Sequence, residues 1–421
     1  MKKIILAVLF TVFSQQNLLL SQNEIQLTLS VAEEIFLKNN LKLIAERYSI
    51  DMAQANVIQA RLFENPELNF EQNIYSRADG EFFDFKSPNV IQFEQLFFLA
   101  GKRKKLIALE KLNVEIAQLE FQELLRTLRN ALRENFIEFY YQKKSIAIYN
   151  KGIDELKKLI EVYDEQYAKG NVSLMENARL KALLFGLQSE KFEIEKEIIE
   201  LQKELNLLLN QQEQTMNNPQ LETNAIRQFA FNENTYNLLK RELTNTPLLQ
   251  MAQKQIEAEE ANLRLQKSLR IPDLTVGVAY EREGELRPEN VGLYFNIPIP
   301  FFNRNQGEIK VAEAQLNQNR TLHQQQEKES LNELYAAYSK ANEALKFYQS
   351  YDKGLENDFE RLIEGIVSSF ERRTISMLEF IDYYETYKEI MLQLQEIEKE
   401  TILSIEAINF VLGKNYFRIV E

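Results

Sequence analysis

Side chains able to attack a carbonyl, hold a soft metal or shuttle a proton near neutrality are nearly missing from this chain. It has no Cys and a single His, His323, so neither a thiolate nucleophile nor a Cys/His ligand spacing can be assembled. A lone His on a polar helix is expected to sit exposed. The seven Met are scattered or fall on apolar seams and set out no soft-metal relay. Carboxylates abound, with 63 Asp plus Glu against 50 Lys plus Arg and a net charge of −13. In so acidic a chain carboxylate pairs arise from composition and do not by themselves indicate acid–base catalysis. One pair stands out by position: Glu379 and Asp382, three residues apart, share a helix face off the seam Met377, Phe380, Tyr384. Such a face is wetted either by bulk solvent or by a water-filled passage, where repeated copies would draw cations and repel anions. No enzyme and no cofactor are expected. The acidic balance also argues against nucleic acid, which is bound through Lys and Arg clusters.

The elements that position these residues follow from proline placement. After Pro88 the next proline is Pro219, and after Pro300 there is none. Proline inside a helix removes a hydrogen bond and clashes with the preceding turn, so two long tracts are free to be helical; both are rich in Leu, Glu, Lys, Gln and Ala. In the second tract Leu331, Leu334, Tyr338, Ala341, Leu345, Tyr348, Leu355, Phe359, Leu362 and Ile366 form a heptad seam broken at Asp352. Met377, Phe380, Tyr384, Tyr387, Met391 and Leu394 then repeat the spacing, so a second helix packs back antiparallel. The first tract has Leu109, Leu112, Ile116, Leu119, Leu124, Leu128 and Leu132, a break at Lys169-Gly170-Asn171, and a returning helix. Each tract is predicted to be a helical hairpin, over about 102–209 and about 305–413. The long arms, 106–167 and 309–370, would each be roughly 90 Å at about 1.5 Å per residue.

A leading helix and two strands precede each hairpin, so the chain is expected to be an internal duplication, mainly α with a β-barrel portion. Asn65-Pro66-Glu67-Leu68 corresponds to Ile271-Pro272-Asp273-Leu274, Phe93 to Phe295, and Val172-Ser173-Leu174-Met175-Glu176 to Ile375-Ser376-Met377-Leu378-Glu379, at offsets of 206, 202 and 203 residues. The copies are assigned to 22–215 and 235–421, joined by a polar linker over 216–234. Ser30 and Glu33 have capping-box spacing at the start of the first leading helix. Strands are predicted over 68–75, 90–98, 274–281 and 291–299. In the first, Leu68, Phe70 and Ile74 alternate with Asn69, Glu71 and Asn73, as on a surface with one apolar and one wet face; Val291, Leu293, Phe295, Ile297 and Ile299 do the same in the last. Charged Gly- and Pro-containing stretches, 77–88 and 282–290, suit extracellular loops. Residues 1–21, with Lys2 and Lys3 ahead of an apolar run, read as a signal peptide without a Cys for lipidation.

No apolar run reaches the roughly 20 residues of a spanning helix, so any membrane crossing must use strands. Four strands cannot close a barrel, and an open edge in hydrocarbon leaves backbone groups unsatisfied. Copies must therefore pool strands; three copies give a lumen wide enough to conduct, whereas two give one just filled by side chains.

This duplicated plan resembles the TolC-like outer-membrane efflux proteins across essentially the whole chain after the leader. The string Pro-Ile-Pro-Phe-Phe-Asn-Arg-Asn-Gln-Gly over 298–307 looks most like the heavy-metal branch, whose members work with resistance-nodulation-division (RND) pumps. The resemblance implies a homotrimer with a 12-stranded β-barrel in outer-membrane lipid and an α-helical barrel through the periplasm, closed at its far end by the hairpins. It implies a periplasmic adaptor (membrane fusion protein) and an inner-membrane RND-type pump as partners. The hairpin turns, Gly170, Asn171, Val172, Ser173 and Arg373, Thr374, Ile375, Ser376, would meet the adaptor. Glu379 and Asp382 would ring the closed aperture, and Arg373 departs from the glycine usual at its position. Phe97, Phe98, Phe301 and Phe302 suit either an interfacial aromatic girdle or packing at the barrel foot. Metal cations are the cargo the branch implies; drugs, or polypeptides in a type I secretion duct, fit the same fold. A rival of another class is a non-channel periplasmic coiled-coil adaptor or scaffold, but such adaptors carry one hairpin, and here two complete copies each bring two strands.

Overall fold

The computed structural model describes residues 24–72, 74–75, 77, 80, 82, 89–223, 225–226, 229–282, 289–351 and 354–420. The expected leader at 1–21 and most of the two expected extracellular loops lie outside the described residues. The described chain runs β1 (Ile25–Thr28), α1 (Leu29–Asn39), α2 (Leu41–Arg61), β2 (Glu67–Gln72), β3 (Asn89–Phe97), α3 (Lys102–Ala168), α4 (Leu174–Leu209), β4 (Asn217–Gln220), α5 (Thr235–Leu243), α6 (Pro247–Ser268), β5 (Leu274–Arg282), β6 (Asn290–Asn296), α7 (Gln306–Ser350), α8 (Leu355–Glu371) and α9 (Met377–Leu412). Two compact units result. One is built from the described residues up to Ile44, Leu124–Leu243 and those from Asn332 onward, the other from Ala45–Glu123 and Thr244–Leu331.

The second unit holds an antiparallel sheet in the order β2-β3-β5-β6. Its register lines up side chains in rows. Leu68 lies opposite Phe93, Phe93 opposite Val278 and Val278 opposite Leu293; one row on, Phe70, Ile91, Tyr280 and Val291 align in the same way. Side chains two apart share a face, so one face is apolar across all four strands, and it is uncovered: Leu68, Val291 and Leu293 are 70 %, 74 % and 63 % exposed. The other face carries Glu67, Glu94, Gly277 and Tyr294 in one row and Asn69, Gln92, Ala279 and Gly292 in the next. Among the described residues strands β2 and β6 are each paired on one side only.

The first unit holds the hairpin ends. A continuous apolar core runs through α3, α4, α8 and α9, with Leu156, Leu180, Leu187, Ile363 and Phe380 almost wholly buried. Aromatic rings line part of it, Tyr163 stacking on Phe370 and Phe370 on Phe380 at centroid distances of 5.4 and 4.4 Å. Gly152 of α3 is needed for this packing, because a Cβ there would lie 1.5 Å from the Tyr384 hydroxyl of α9.

Several expectations are corrected. The arm predicted over 309–370 is divided into α7 and α8, at the lapse of its seam; Gly354, a poor helix former, stands at the N-cap of α8. The break also resets the seam, leaving Leu362 exposed while Ile363, Ile366 and Phe370 are buried. Ser30 and Glu33 do not form a capping box. Helix α1 starts two residues earlier, with Thr28 as N-cap accepting from the Val31 amide, and Glu33 instead takes the Arg133 guanidinium at 2.6 Å while buried Glu406 holds the same group at 2.8 Å. Each leading helix is two helices. Asn40 is extended and its side chain accepts from the Leu43 amide at 3.1 Å, and Thr246 with Pro247 at the first helical position restarts the chain in the second copy. The linker contains β4, which pairs in parallel with β1, Leu27 opposite Pro219; neither strand was expected. His323 is half-buried beside Glu327, 3.9 Å away, and not exposed.

The glycines of the hairpins make a paired test. Gly152→Ala is expected to destabilise by about 1–3 kcal/mol through overpacking against Tyr384. Gly365→Ala, with nothing within 4 Å of its added Cβ, is expected to stabilise by roughly 1 kcal/mol through helix propensity. Thermal melts of the two variants in detergent should move in opposite directions.

Candidate functional site

The two hairpin turns are the same device built twice. At the end of α3 the Gly170 amide donates to the Tyr167 carbonyl and the Asn171 amide to the Gln166 carbonyl, both at 2.9 Å. At the end of α8 the Arg373 amide donates to Phe370 and the Thr374 amide to Ser369, again at 2.9 Å. This paired pattern closes a helix through one left-handed residue, and Gly170 and Arg373 have φ of +76° and +59°. Three residues later the next helix is opened by Ser173 or Ser376. The hydroxyl of Ser173 accepts from the Glu176 amide, and the Glu176 carboxylate accepts from the Ser173 amide; Ser376 and Glu379 repeat the exchange. Asp164 of α3 ties the first turn further, accepting from Asn177 at 2.7 Å and Lys181 at 2.6 Å of α4.

Charge at the turns follows from these bonds. The Ser173 and Ser376 backbone amides hold the carboxyls of Glu176 and Glu379 below the usual glutamate range. Lys181 does the same for Asp164. Arg373, left-handed without being glycine, stands near enough to lower Glu176 further and to oppose the rise that burial causes in Tyr163. The expected pair divides in role. The Glu379 carboxylate is committed to its cap, whereas Asp382 is exposed and no partner for its carboxylate is found among the described residues. Both lie off the buried seam of Met377, Phe380, Tyr384, Tyr387 and Met391.

A second acidic feature was not anticipated. On the polar face of the sheet Glu67 lies opposite Glu94, an arrangement that repels, and the Tyr294 hydroxyl donates to Glu94 at 2.7 Å. Tyr294 reaches it by lying over Gly277, where any Cβ would be 2.4 Å from the ring. Strict alternation in Ile91-Gln92-Phe93-Glu94 was the available signal; the partner strand's Tyr294 needed the register. Among the described residues no group of three or more His, Cys, Asp or Glu is arranged to hold a metal ion.

The model of the outer membrane efflux protein family matches residues 34–231 and 238–357. The chain belongs to the outer membrane efflux protein family. This efflux protein is 20% identical over 388 residues to the cobalt-zinc-cadmium resistance protein CzcC of Cupriavidus metallidurans, covering 92% of the chain and 90% of the relative. In fold it is similar to the outer membrane protein VceC of Vibrio cholerae, with a TM-score of 0.72 at 14% identity, covering 92% of this chain and 97% of that one. It is equally similar to CusC, whose structures are described in terms of transmembrane channel formation, at a TM-score of 0.72 and 14% identity over 92% of each chain.

The turns of this efflux protein can be tested by amide exchange. Arg373→Gly is expected to remove a left-handed penalty of about 1 kcal/mol, slowing amide exchange at the second turn about fivefold. Ser376→Ala is expected to speed it by a similar factor through loss of the cap. The capped carboxyls are depressed, so their contribution is complete above the ordinary glutamate value of about 4.5 and is lost as pH falls through the lowered value. Protection at the turns, the observed exchange rate set against the intrinsic base-catalysed rate at the same pH, should therefore fall on acidification below that point, less so in Ser376→Ala.

Proposed function

We propose that this protein is the outer-membrane channel of a tripartite efflux pump, a passive duct that carries cargo handed on by a periplasmic adaptor and an inner-membrane RND-type pump. The observation that carries the proposal is the sheet, with a continuous apolar exposed face, a polar opposite face and two unpaired edges. Among the described residues no helix is long and apolar enough to cross a membrane, so the sheet is the element suited to contact lipid. Three copies joined edge to edge give a 12-stranded barrel with the apolar face outward and the Glu67, Glu94, Tyr294 row inward. The helices offer a matching surface. Phe185, Phe192 and Ile199 of α4 recur every seven residues and are exposed, as a seam that packs on a neighbouring copy does.

The paired turns are the rigid tips that the adaptor would engage, through Gly170, Asn171, Val172 and Ser173 and through Arg373, Thr374, Ile375 and Ser376. Glu379 and Asp382 would ring the aperture near the second tip, with Asp382 as the freer charge. Metal cations are the proposed cargo, supported by the likeness to a cobalt-zinc-cadmium resistance protein and by an inward acidic face, which favours cations over anions.

Reconstituted in a planar bilayer, the protein is expected to conduct with a preference for cations, and Glu379→Ala with Asp382→Ala to raise conductance or weaken that preference. Unchanged currents would remove the aperture role. Deletion of the gene is expected to lower tolerance of divalent metals and leave tolerance of dyes and antibiotics intact; the reverse pattern would reassign the cargo.

A further inference from the structure

Where strands give way to helices, apolar and cationic side chains are segregated in a manner that conduction does not explain. Four segments lie there: 61–66 from the last residue of α2 onward, 98–105 from the end of β3 into the first turn of α3, 268–273 from the last residue of α6 to β5, and 298–308 from beyond β6 into the first turn of α7. Specific contacts join the first three, and the fourth is tied to α6 by Asn305, which donates to the Gln266 carbonyl at 2.9 Å. Asp273 accepts from the Leu99 amide at 2.9 Å and pairs with Lys102 at 2.8 Å. Gln95 donates to the Glu64 carbonyl at 2.9 Å, and the Arg103 guanidinium lies 3.7 Å from the Phe63 ring centroid.

These segments carry seven cations against three carboxylates, within a chain of net charge −13. Most of the positive charge is unspent. Lys104, Arg270 and Arg304 are exposed and form no ion pair among the described residues, and Nη1 of Arg103 is buried with no hydrogen-bond partner there. Four of the cations, Lys102 to Lys105, open helix α3, which has no acidic residue in its first turn. A helix start carries partial positive charge and favours anions, so the sequence concentrates cations where the fold disfavours them. Beside them stand large apolar side chains left open to varying degrees: Phe98 is partly exposed, Ile299 and Phe301 are mostly exposed, and Phe302 is 94 % exposed.

We propose that this girdle recognises the phosphate of anionic diacyl phospholipids in the membrane leaflet nearest the helices. The phenylalanines would take the upper acyl chains and Lys104, Arg270 and Arg304 the headgroup. A zwitterionic lipid carries its own ammonium and gains less from the cations; a free phosphate offers nothing to the aromatic side chains. The inference rests on the membrane reading of the sheet.

The test uses the full-length protein reconstituted in vesicles of equal phosphatidylethanolamine and phosphatidylglycerol, extracted in detergent, with the co-purifying lipids counted by native mass spectrometry. Phosphatidylglycerol is expected to be retained over phosphatidylethanolamine by at least about tenfold, and the exposed triple variant Lys104→Gln, Arg270→Gln, Arg304→Gln to bring retention near parity with assembly intact. Millimolar glycerol phosphate is expected to displace no lipid. Equal retention by the unaltered protein, unchanged preference in the triple variant, or displacement by glycerol phosphate would each overturn the proposal while leaving the channel intact. Failure to enter vesicles of any composition would sink the membrane reading and this inference with it.

Discussion

Unpaired backbone at the two edges of one small sheet is the constraint on which the rest of this molecule turns. Among the described residues strands β2 and β6 each have a ladder partner on one side only, which leaves the outer edge of each open, and the face between them is apolar from edge to edge. In water such a surface invites aggregation. In hydrocarbon the apolar face is at home, but each open backbone group costs several kcal/mol. Both problems vanish if every β6 meets the β2 of another copy and the ring closes. The lipid-facing surface, the subunit count and the water-filled interior would all follow from that closure.

The helical part meets a different demand, since two long hairpins must reverse direction at tips that stay defined while exposed. The solution is local hydrogen bonding. A left-handed residue ends one helix and a serine–glutamate box opens the next, at Gly170 and Ser173 and again at Arg373 and Ser376. Behind the tips the stacked rings of Tyr163, Phe370 and Phe380 supply the buried surface. Glu379 therefore has a structural reason to be glutamate that is independent of any ring of charge, and its counterpart Glu176 in the other copy has the same one. Asp382, which no such bond explains, is the more informative position for selectivity.

Periodicity made much of this legible in the sequence. Alternation in Leu68-Asn69-Phe70-Glu71 and in the run from Val291 exposed the two-faced strands, and the paired turns announced the duplication. What escaped was set by contacts distant in sequence. The capping spacing of Ser30 and Glu33 was genuine as a pattern, but Arg133, a hundred residues on, competes for Glu33 and the helix begins at Thr28. Strands β1 and β4 are four residues each and nearly 190 residues apart, too short to show a period. The Tyr294 and Glu94 pair depends on register across three strands, and the shift of the buried seam from Leu362 to Ile363 depends on a helix break that turns one face against the other. Local rules located the elements; tertiary competition chose their partners.

Edge closure between copies can be tested directly, because the chain has no Cys of its own. A cysteine at Phe70 on β2 combined in turn with one at Val291, Leu293 or Phe295 on β6 places thiols on the same outward face. Within one chain two intervening strands, three spacings or about 14 Å in all, keep them apart. Oxidation in outer membranes is expected to yield covalent species of two and then three chains, ending at three, for at least one pairing. A chain that stays single at every pairing, in membranes or in detergent-free buffer, would contradict the closed ring.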